Sequence, residues 1–242
     1  MTKSVLLSSI KRCYLELKGV DDYYIKWKVE DNKLSFSAYV IAFGTSTVCQ
    51  LSLPGVDLTN LNVIIRNPKS FLNLLNIAEE ELELKFSKKY DHKMQIKDAS
   101  FEHDYVLCDP TVINVQTPII DEPLSYDMTI ELTADFISKF LKIKKANGSE
   151  VVSVAIKDRK ATFELGDKHS NKSKFFVEED GMFDMKKISF SSDVIEEIFQ
   201  RNKECTGRMF IHSDGLMKIY FKETIGTFTP EVTYFLIALD KL

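Results

Sequence analysis

The pattern of apolar and polar positions predicts helices and strands in an order that occurs twice. Alternating apolar positions predict strands, and apolar positions three and four residues apart predict helices. The first series has a helix at 4–17, strands at 23–29, 34–43, 47–53 and 61–65, a helix from Asn67-Pro68 to Ala78, and strands at 82–86, 94–98 and 105–108. The second has a helix at 132–147, strands at 151–156, 161–165, 174–178 and 187–190, a helix at 193–202, and strands at 209–212, 217–222 and 233–239.

The helix at 132–147 has two different faces. Thr133 is its predicted N-cap, and Asn147-Gly148 is its stop signal. One face is apolar and consists of Phe136, Ile137, Phe140, Leu141 and Ile143. The opposite face carries Lys139, Lys142 and Lys145 at i+3 spacing with no acidic residue between them. A solvated surface explains most lysine-rich helices, but this stripe stands out in a chain that is acidic as a whole.

The two halves align with small shifts. A shift of 127 places Asp31, Lys33 and Phe36 on Asp158, Lys160 and Phe163, and a shift of 123 places Met94 and Ile96 on Met217 and Ile219. We therefore predict an α+β fold of two tandem similar domains, with helices on one face of antiparallel sheets. The predicted domains are 1–108 and 128–242. The segment 109–127 holds three of the six prolines and is the predicted interdomain linker.

Composition limits the classes of protein to which the chain can belong. The net charge of −4 argues against a surface that is basic throughout, but it permits positive charge on one face. The four cysteines form no CxxC pair, which is typical of reduced thiols inside a cell. The N-terminus lacks the apolar core of a signal peptide, and no apolar run is long enough to span a membrane. We expect a cytoplasmic protein that does not bind membranes.

No motif for catalysis is present. The chain lacks GxxxxGK[ST], GxGxxG and HExxH, and its four histidines, His92, His103, His169 and His212, are isolated. We therefore expect no enzyme activity, no cofactor and no metal site. Acidic clusters at 21–22 and 178–180 leave a metal-dependent nuclease as a weaker alternative. A protein that binds single-stranded nucleic acid would have aromatic residues beside the lysines, and the lysine stripe has none. An accessory protein that binds nucleic acid without forming a ring is the third alternative.

The paired helices carry a resemblance to a known family. The leading helices are SVLLSSIKRCYLEL and LTADFISKFLKIKKA, and the second helices are NPKSFLNLLNIA and SSDVIEEIFQRN. With the segment at 71–113, they make nearly the whole chain resemble the sliding DNA clamps of the two-domain, trimeric type, the form of proliferating cell nuclear antigen and of the T-even bacteriophage clamp. The segment at 71–113 is most similar to the phage clamp, which implies a phage protein in the cytoplasm of a bacterial host.

The resemblance implies a closed homotrimeric ring of six domains, whose twelve helices surround duplex DNA. Such a clamp is a processivity factor that tethers the replicative polymerase. Lysines suit this task, because their contacts with phosphates are independent of sequence. The implied pore residues are Lys3, Lys11, Arg12, Lys69, Lys139, Lys142, Lys145, Arg201 and Lys203. Glu196 and Glu197 on the fourth helix depart from this pattern.

The resemblance also implies a pocket for short peptide motifs of DNA polymerase and the clamp loader. In the family, this pocket lies between the domains, beside the linker and the C-terminal strand. Its position corresponds here to Val112, Ile113, Val115, Ile119, Ile120, Leu236 and Ala238. Apolar anchors would carry most of the binding energy in such a pocket.

Overall fold

The structure is a computed structural model that describes residues 3–20, 23–31, 33–42, 45–54, 61–86, 93–109, 111–112, 120–166, 171–178 and 183–239. The helices are α1 (Lys3–Cys13), α2 (Pro68–Ile77), α3 (Ala134–Asn147) and α4 (Ser192–Arg201). The strands of the first half are β1 (Ile25–Glu30), β2 (Lys33–Ala42), β3 (Thr45–Pro54), β4 (Leu61–Ile65), β5 (Glu83–Phe86), β6 (Lys93–Lys97) and β7 (Glu102–Val106). The strands of the second half are β8 (Met128–Leu132), β9 (Val151–Lys157), β10 (Lys160–Leu165), β11 (Ser173–Glu178), β12 (Met185–Ser191), β13 (Thr206–His212), β14 (Leu216–Lys222) and β15 (Glu231–Ile237).

Three of the helices begin at side chains that accept backbone hydrogen bonds. The amide of Ser70 donates to Asn67 Oδ1 at 3.0 Å, and the amide of Phe136 donates to Thr133 Oγ1 at 3.1 Å. Ser191 caps α4 in the same way, at 3.4 Å. Gly148 ends α3 in the left-handed conformation, with φ at 62°. Each of these residues satisfies a backbone group that the helix itself leaves free. The caps predicted at Asn67, Thr133 and Gly148 are therefore confirmed.

The strands form three antiparallel sheets in which the two halves have matching strand orders. The eight-stranded sheet runs β4-β1-β2-β3-β15-β14-β13-β8, the four-stranded sheet β11-β10-β9-β12, and the three-stranded sheet β5-β6-β7. The order β4-β1-β2-β3 in the first half matches β12-β9-β10-β11 in the second. At the centre of the eight-stranded sheet, β3 pairs with β15 and joins the halves into one continuous surface.

The four helices pack side by side on one face of the sheets. They contact one another in the order α2-α1-α4-α3. We call this row the helix layer. Buried side chains alternate along most strands, so one set faces the helices, as Trp27, Phe36, Phe163 and Tyr234 do. The predicted α+β fold, with helices on one face of antiparallel sheets, is confirmed. No helix in the described ranges is long and apolar enough to cross a membrane.

Several predicted elements differ from the structure, and the differences at α1, β7 and β8 are the most informative. Helix α1 ends at Cys13 and not at residue 17, because the Tyr23 hydroxyl donates to the Cys13 carbonyl at 2.7 Å and accepts from the Leu15 amide at 3.3 Å. Strand β7 ends at Val106, earlier than predicted, and β8 was not predicted at all. Both strands expose acidic side chains on one face, Glu102 on β7 and Glu131 on β8.

Candidate nucleic-acid interface

The lysine stripe of α3 is an exposed basic surface of the helix layer. Lys139, Lys142 and Lys145 are all exposed, whereas Phe136, Ile137 and Phe140 on the opposite face are buried. Within the described residues, no carboxylate lies within 4.0 Å of any of the three ammonium groups. Lys139 Nζ lies 5.7 Å from the centre of the Phe175 ring. These three charges are therefore free to attract an anionic backbone.

A fourth lysine of the same helix has a structural position. Lys144 is 6% exposed and forms ion pairs with Asp193 and, at 3.9 Å, with Glu196 at the beginning of α4. It stands four residues after Phe140 and seven after Ile137, which is the spacing of the buried face. The carboxylates of Asp193 and Glu196 compensate the buried charge, as a buried ammonium group requires.

The predicted residues Lys69 and Arg201 share one carboxylate. Glu16, just after α1, accepts a hydrogen bond from Lys69 Nζ at 2.6 Å and lies 3.7 Å from Arg201 Nη2. Arg201 also donates to Glu197 at 3.1 Å. The Lys69 ammonium lowers the pKa of Glu16, and Glu16 raises the pKa of Lys69. The centre of the helix layer is thus largely neutralised by its own ion pairs.

Acidic side chains surround the central part of this layer. A cavity of about 320 Å³ between the ends of α1, α3 and α4 is lined by five of them: Glu16, Glu150, Asp193, Glu196 and Glu197. Glu196 and Glu197 do not point away from the layer, since their partners Lys144 and Arg201 belong to it. The layer therefore has a basic end at α3 and an acidic centre beside α4.

The remaining predicted pore residues have varied surroundings. Arg12 is 3% exposed and forms an ion pair with Glu223, so it is not accessible to DNA, and we remove it from the interface. Lys3 donates to main-chain carbonyls at the C-terminal end of α2. Lys11 is half-buried, and Lys203 is exposed and lies 3.9 Å from Glu204.

The residues predicted for a peptide pocket are not brought together in the described part of the chain. Val112 is 81% exposed and Ile120 is half-buried, whereas Ile113, Val115 and Ile119 lie outside the described residues. Leu236 and Ala238 are fully buried, so a peptide cannot contact their side chains. Leu236 and Ala238 lie two and four residues after Tyr234, so their side chains point to the same side as Tyr234. The Tyr234 hydroxyl donates to the Arg12 carbonyl of α1 at 3.0 Å. Their side chains therefore belong to the core under the helices.

The end of the linker lies on the opposite face of the sheet. Lys218 Nζ donates to Glu122 at 2.6 Å, and the Tyr126 ring packs on Phe210 with centroids 5.4 Å apart. Lys218 also lies 5.7 Å from the centre of the Phe235 ring. On the C-terminal strand, Phe235 and not Leu236 is on the side that the linker covers. The alternation of β15 could have indicated this from the sequence.

The described residues do not form a metal site. No three His, Cys, Asp or Glu side chains among them converge in a way that could hold a metal ion. His103 stacks on Phe101, and His212 lies 3.5 Å from Asp214. His92, His169 and the acidic residues at 21–22 and 179–180 lie outside the described ranges.

Comparison with solved structures places this architecture among known folds. The structure is similar to the proliferating cell nuclear antigen of Entamoeba histolytica, with a TM-score of 0.71 and 12% identity over 98% of this chain and 96% of that one. The chain has the sliding-clamp fold. It is also similar to the A. fulgidus proliferating cell nuclear antigen bound to the C-terminal region of FEN-1, with a TM-score of 0.70, 16% identity and the same coverage. No family model matches the sequence, and no curated protein matches it.

In this clamp fold, the helix layer and the outer sheets are distinct surfaces. The outward face of the four-stranded sheet is not acidic. Its outward face carries Lys157, Lys160, Lys174 and Lys187 against Glu164 and Glu178. Lys187 and Lys174 donate hydrogen bonds to Glu164 and lower its pKa to about 2. This basic sheet ends at β11, the strand at its edge.

Proposed function

We propose that the protein is a sliding clamp, a processivity factor that encircles duplex DNA and tethers a replicative polymerase. The single observation that carries this proposal is the row of four helices on one face of a continuous sheet, in a chain that matches two clamps over 98% of its length. The exposed stripe on α3 would contact phosphates without reading the base sequence. Retention on DNA would then depend on ring closure and not on high affinity.

We propose that three copies form the ring. One chain supplies two similar halves, so three chains would supply six halves and twelve helices. Strands β7 and β11 are each the last strand of their sheet among the described residues, and each therefore has an unpaired edge available to another chain. Their counterparts in the repeat, β15 and β3, pair with each other inside the chain.

The first test is the mass in solution. Sedimentation equilibrium over a range of concentrations should show a trimer of the 27.8 kDa chain, about 83 kDa. A monomer at every concentration would exclude a ring, and an open accessory protein would then explain the fold better. A stable dimer would contradict the six-domain arrangement.

The second test separates a ring on DNA from ordinary binding. Protein loaded on nicked circular plasmid should co-elute with it in gel filtration and should be lost when a restriction enzyme linearises the plasmid. Equal retention on both forms would overturn the topological proposal.

The third test concerns the DNA-facing residues. Replacing Lys139, Lys142 and Lys145 with Glu should leave the fold intact, because all three are exposed. Loading on DNA and processive synthesis by the cognate polymerase should fall strongly, because the variant repels phosphates. The matched control is Lys33→Glu with Lys157→Glu and Lys186→Glu, which makes the same charge change at exposed lysines off the helix layer. Unchanged stimulation of the polymerase in the α3 variant would show that the pore assignment is wrong.

Partner binding is proposed by analogy with the complex of the A. fulgidus clamp. That clamp binds the C-terminal region of FEN-1. We propose that short peptides of a DNA polymerase and a clamp loader dock beside the linker, near Val112 and Ile120. Leu124 is also exposed, and Lys218 connects Glu122 of the linker with Phe235 on the linker side of β15. Val112→Asp should abolish polymerase stimulation while leaving the trimer mass unchanged.

A further inference from the structure

Among the described residues, the three-stranded sheet has one strand fewer than its counterpart in the second half. The order β5-β6-β7 corresponds to β13-β14-β15, and in the second half β8 adds a further strand beside β13. Because β8 directly precedes α3, its counterpart would directly precede α1. At the start of α1, the Lys3 amide donates to the Glu80 carbonyl at 3.0 Å, just before β5. No described residue pairs with the outer edge of β5 itself.

Two residues of β5 direct their backbone groups to this open edge. Through the alignment of β6 with β14 given above, Phe86 corresponds to Ile211. The Ile211 carbonyl accepts a hydrogen bond from the Asp127 amide, next to β8, at 3.0 Å. It therefore points to the edge that β8 covers. Because backbone direction alternates along a strand, the N–H and C=O groups of Leu84 point the same way as those of Phe86. These groups are available to a further antiparallel strand.

The side chains of Leu84 and Phe86 are incompletely covered. Both pack on the core of the first half, and the Phe86 and Trp27 ring centroids lie 5.6 Å apart. Both side chains are nevertheless only half-buried. Their counterparts in the second half, Met209 and Ile211, are at most 1% exposed. There β8 covers them with buried side chains of its own. An added strand with apolar side chains would complete the core of the first half in the same way.

The outward face of β5 carries one charge of each sign. Glu83 and Lys85 are both exposed, and in the absence of a neighbouring strand they lie 3.0 Å from each other. The counterpart of Glu83 is Arg208, which lies 3.7 Å from Glu131 of β8. Opposite charges facing each other across antiparallel strands stabilise the pairing. A strand added to β5 would therefore need a basic residue opposite Glu83 and an acidic residue opposite Lys85.

We propose that the outer edge of β5 binds an extended peptide of another protein as an additional antiparallel strand. Apolar side chains of the peptide lie opposite Phe86 and Leu84. Between them an acidic side chain lies opposite Lys85, and a basic side chain follows opposite Glu83. Main-chain hydrogen bonds supply affinity in this mode of binding, and the alternate side chains supply specificity. The site is on the edge of the sheet away from β7, and it does not depend on the proposed ring.

A synthetic peptide with the central sequence Met-Asp-Ile-Lys-Leu tests the proposal. In the proposed register, its first four residues lie in turn opposite Phe86, Lys85, Leu84 and Glu83. The full-length protein should bind the labelled peptide in fluorescence anisotropy. An N-methyl group on the central isoleucine should weaken binding at least about tenfold, because it removes a backbone donor opposite Leu84.

A peptide of the same composition controls for the alternation. Asp-Met-Lys-Ile-Leu would place its charged residues opposite Phe86 and Leu84, and it should bind as weakly as the N-methylated peptide. No measurable binding of the first peptide would overturn the proposal, and so would equal affinities for all three.

Exchanging the two charges of β5 tests the register. Glu83→Lys/Lys85→Glu should leave the fold intact, because both side chains are exposed. The variant should bind Met-Asp-Ile-Lys-Leu several-fold more weakly than the wild type does. It should bind Met-Lys-Ile-Asp-Leu several-fold more tightly, because the charges again match while the apolar contacts stay the same. An unchanged preference would show that the peptide does not lie along β5 in this register.

Amide hydrogen exchange followed by NMR locates the peptide. In the free protein, the amides of Leu84 and Phe86 should exchange faster than those of Met209 and Ile211, which lie beside β8. Saturating peptide should slow the exchange at Leu84 and Phe86. Full protection of both amides in the free protein would mean that the chain itself covers this edge, and would overturn the proposal. A monomer that binds the peptide would overturn the proposed ring and leave this inference standing.

Discussion

At the scale of single residues, Glu16 controls how much positive charge the helix layer presents. It holds Lys69 and lies near Arg201, so removing its charge releases both. Glu16→Gln should raise the affinity for duplex DNA at low salt several-fold. The plot of log K against log salt should become steeper by about 1 to 2, because each added phosphate contact contributes about 0.9.

The control for Glu16→Gln is a variant that removes one negative charge away from the helix layer. Glu131 is exposed on β8, and Glu131→Gln alters net charge equally without touching the helix layer. Binding measured by fluorescence anisotropy should change much less for this control. Equal effects of the two variants would mean that net charge, and not the release of Lys69 and Arg201, governs the affinity.

Arg12 and Glu223 form a structural ion pair. Glu223→Ala would leave the buried guanidinium without its carboxylate, and we expect a loss of about 3 kcal/mol in the free energy of unfolding. Glu231→Ala breaks an exposed pair with Lys222 and should cost about 0.5 kcal/mol. Urea denaturation distinguishes them. Similar stability of the two variants would contradict the structural role of Arg12.

Glu164 should make stability depend on acid pH. Its pKa in the folded protein is about 2, below the unfolded value of about 4.3. The stabilisation is therefore complete above pH 5 and is lost as the pH falls from about 4 through 2. Glu164→Gln should cost about 1 kcal/mol at pH 7 and flatten this dependence in thermal melts. An unchanged slope between pH 5 and 2 would show that other groups cause the acid sensitivity.

Whether a side chain is exposed or buried was predictable where the helical period alone determines it. It was not predictable where a partner far away in the sequence determines it. Lys139, Lys142 and Lys145 were placed on an exposed face by the period of α3 alone. Arg12 was predicted to face DNA, although it follows buried Val5 and Ser9 at helical spacing. Its ion-pair partner, Glu223, comes from the other end of the chain, and no local pattern indicates that contact.

At the scale of elements, α3 carries two lysines with opposite roles. Lys144 joins the end of α3 to the beginning of α4, whereas Lys142 is exposed and unpaired among the described residues. Lys144→Gln should lower the free energy of unfolding by about 2 to 3 kcal/mol, since two carboxylates lose their cation. Lys142→Gln should leave stability within about 0.5 kcal/mol and weaken DNA binding. Calorimetry would measure the stability of both variants, and a binding assay would measure their affinity for DNA. Equal stability and equal affinity of the two variants would contradict the separate roles of Lys144 and Lys142.

Helix ends with a local capping signal were predicted more accurately than the end of α1 and the edge strands. Asn67, Thr133 and Gly148 act on backbone groups within a few residues, so the sequence contains their effect. Helix α1 ends through Tyr23, a tertiary contact that local reasoning does not include. Strand β8 alternates clearly, but it directly precedes α3, and its last residue, Leu132, was assigned to the predicted helix at 132–147.

At the scale of the whole molecule, the two strand edges proposed to face other chains carry exposed charges, carboxylates on β7 and lysines on β11, so the ring should weaken with salt. Raising NaCl from about 50 to 500 mM shortens the screening length from roughly 14 to 4 Å. We therefore expect the dissociation constant of the trimer to rise with salt. Light scattering at a fixed protein concentration should then show a lower mean mass in high salt than in low salt. A mass independent of salt would indicate that apolar contacts hold the ring.

The repeated architecture was predictable from the sequence, but the way in which the halves join was not. Matching residues such as Phe36 and Phe163 showed that the order of elements recurs. The β3–β15 junction connects strands from distant parts of the chain, and either strand alone predicts only an extended segment. The boundaries proposed for the domains at 108 and 128 stay predictions, since the eight-stranded sheet crosses both halves.

The pairing of β3 with β15 gives the proposed ring two kinds of seam. Three of these junctions, the β3–β15 pairs, lie within single chains. There the peptide backbone keeps the two strands at a high effective concentration, so a separated pair forms again quickly. The other three lie between chains and have no such tether. A loader that opens the ring would therefore separate the strands at a junction between chains. Fusing the three chains end to end would leave fewer junctions without a covalent link, and so fewer sites at which the ring can open.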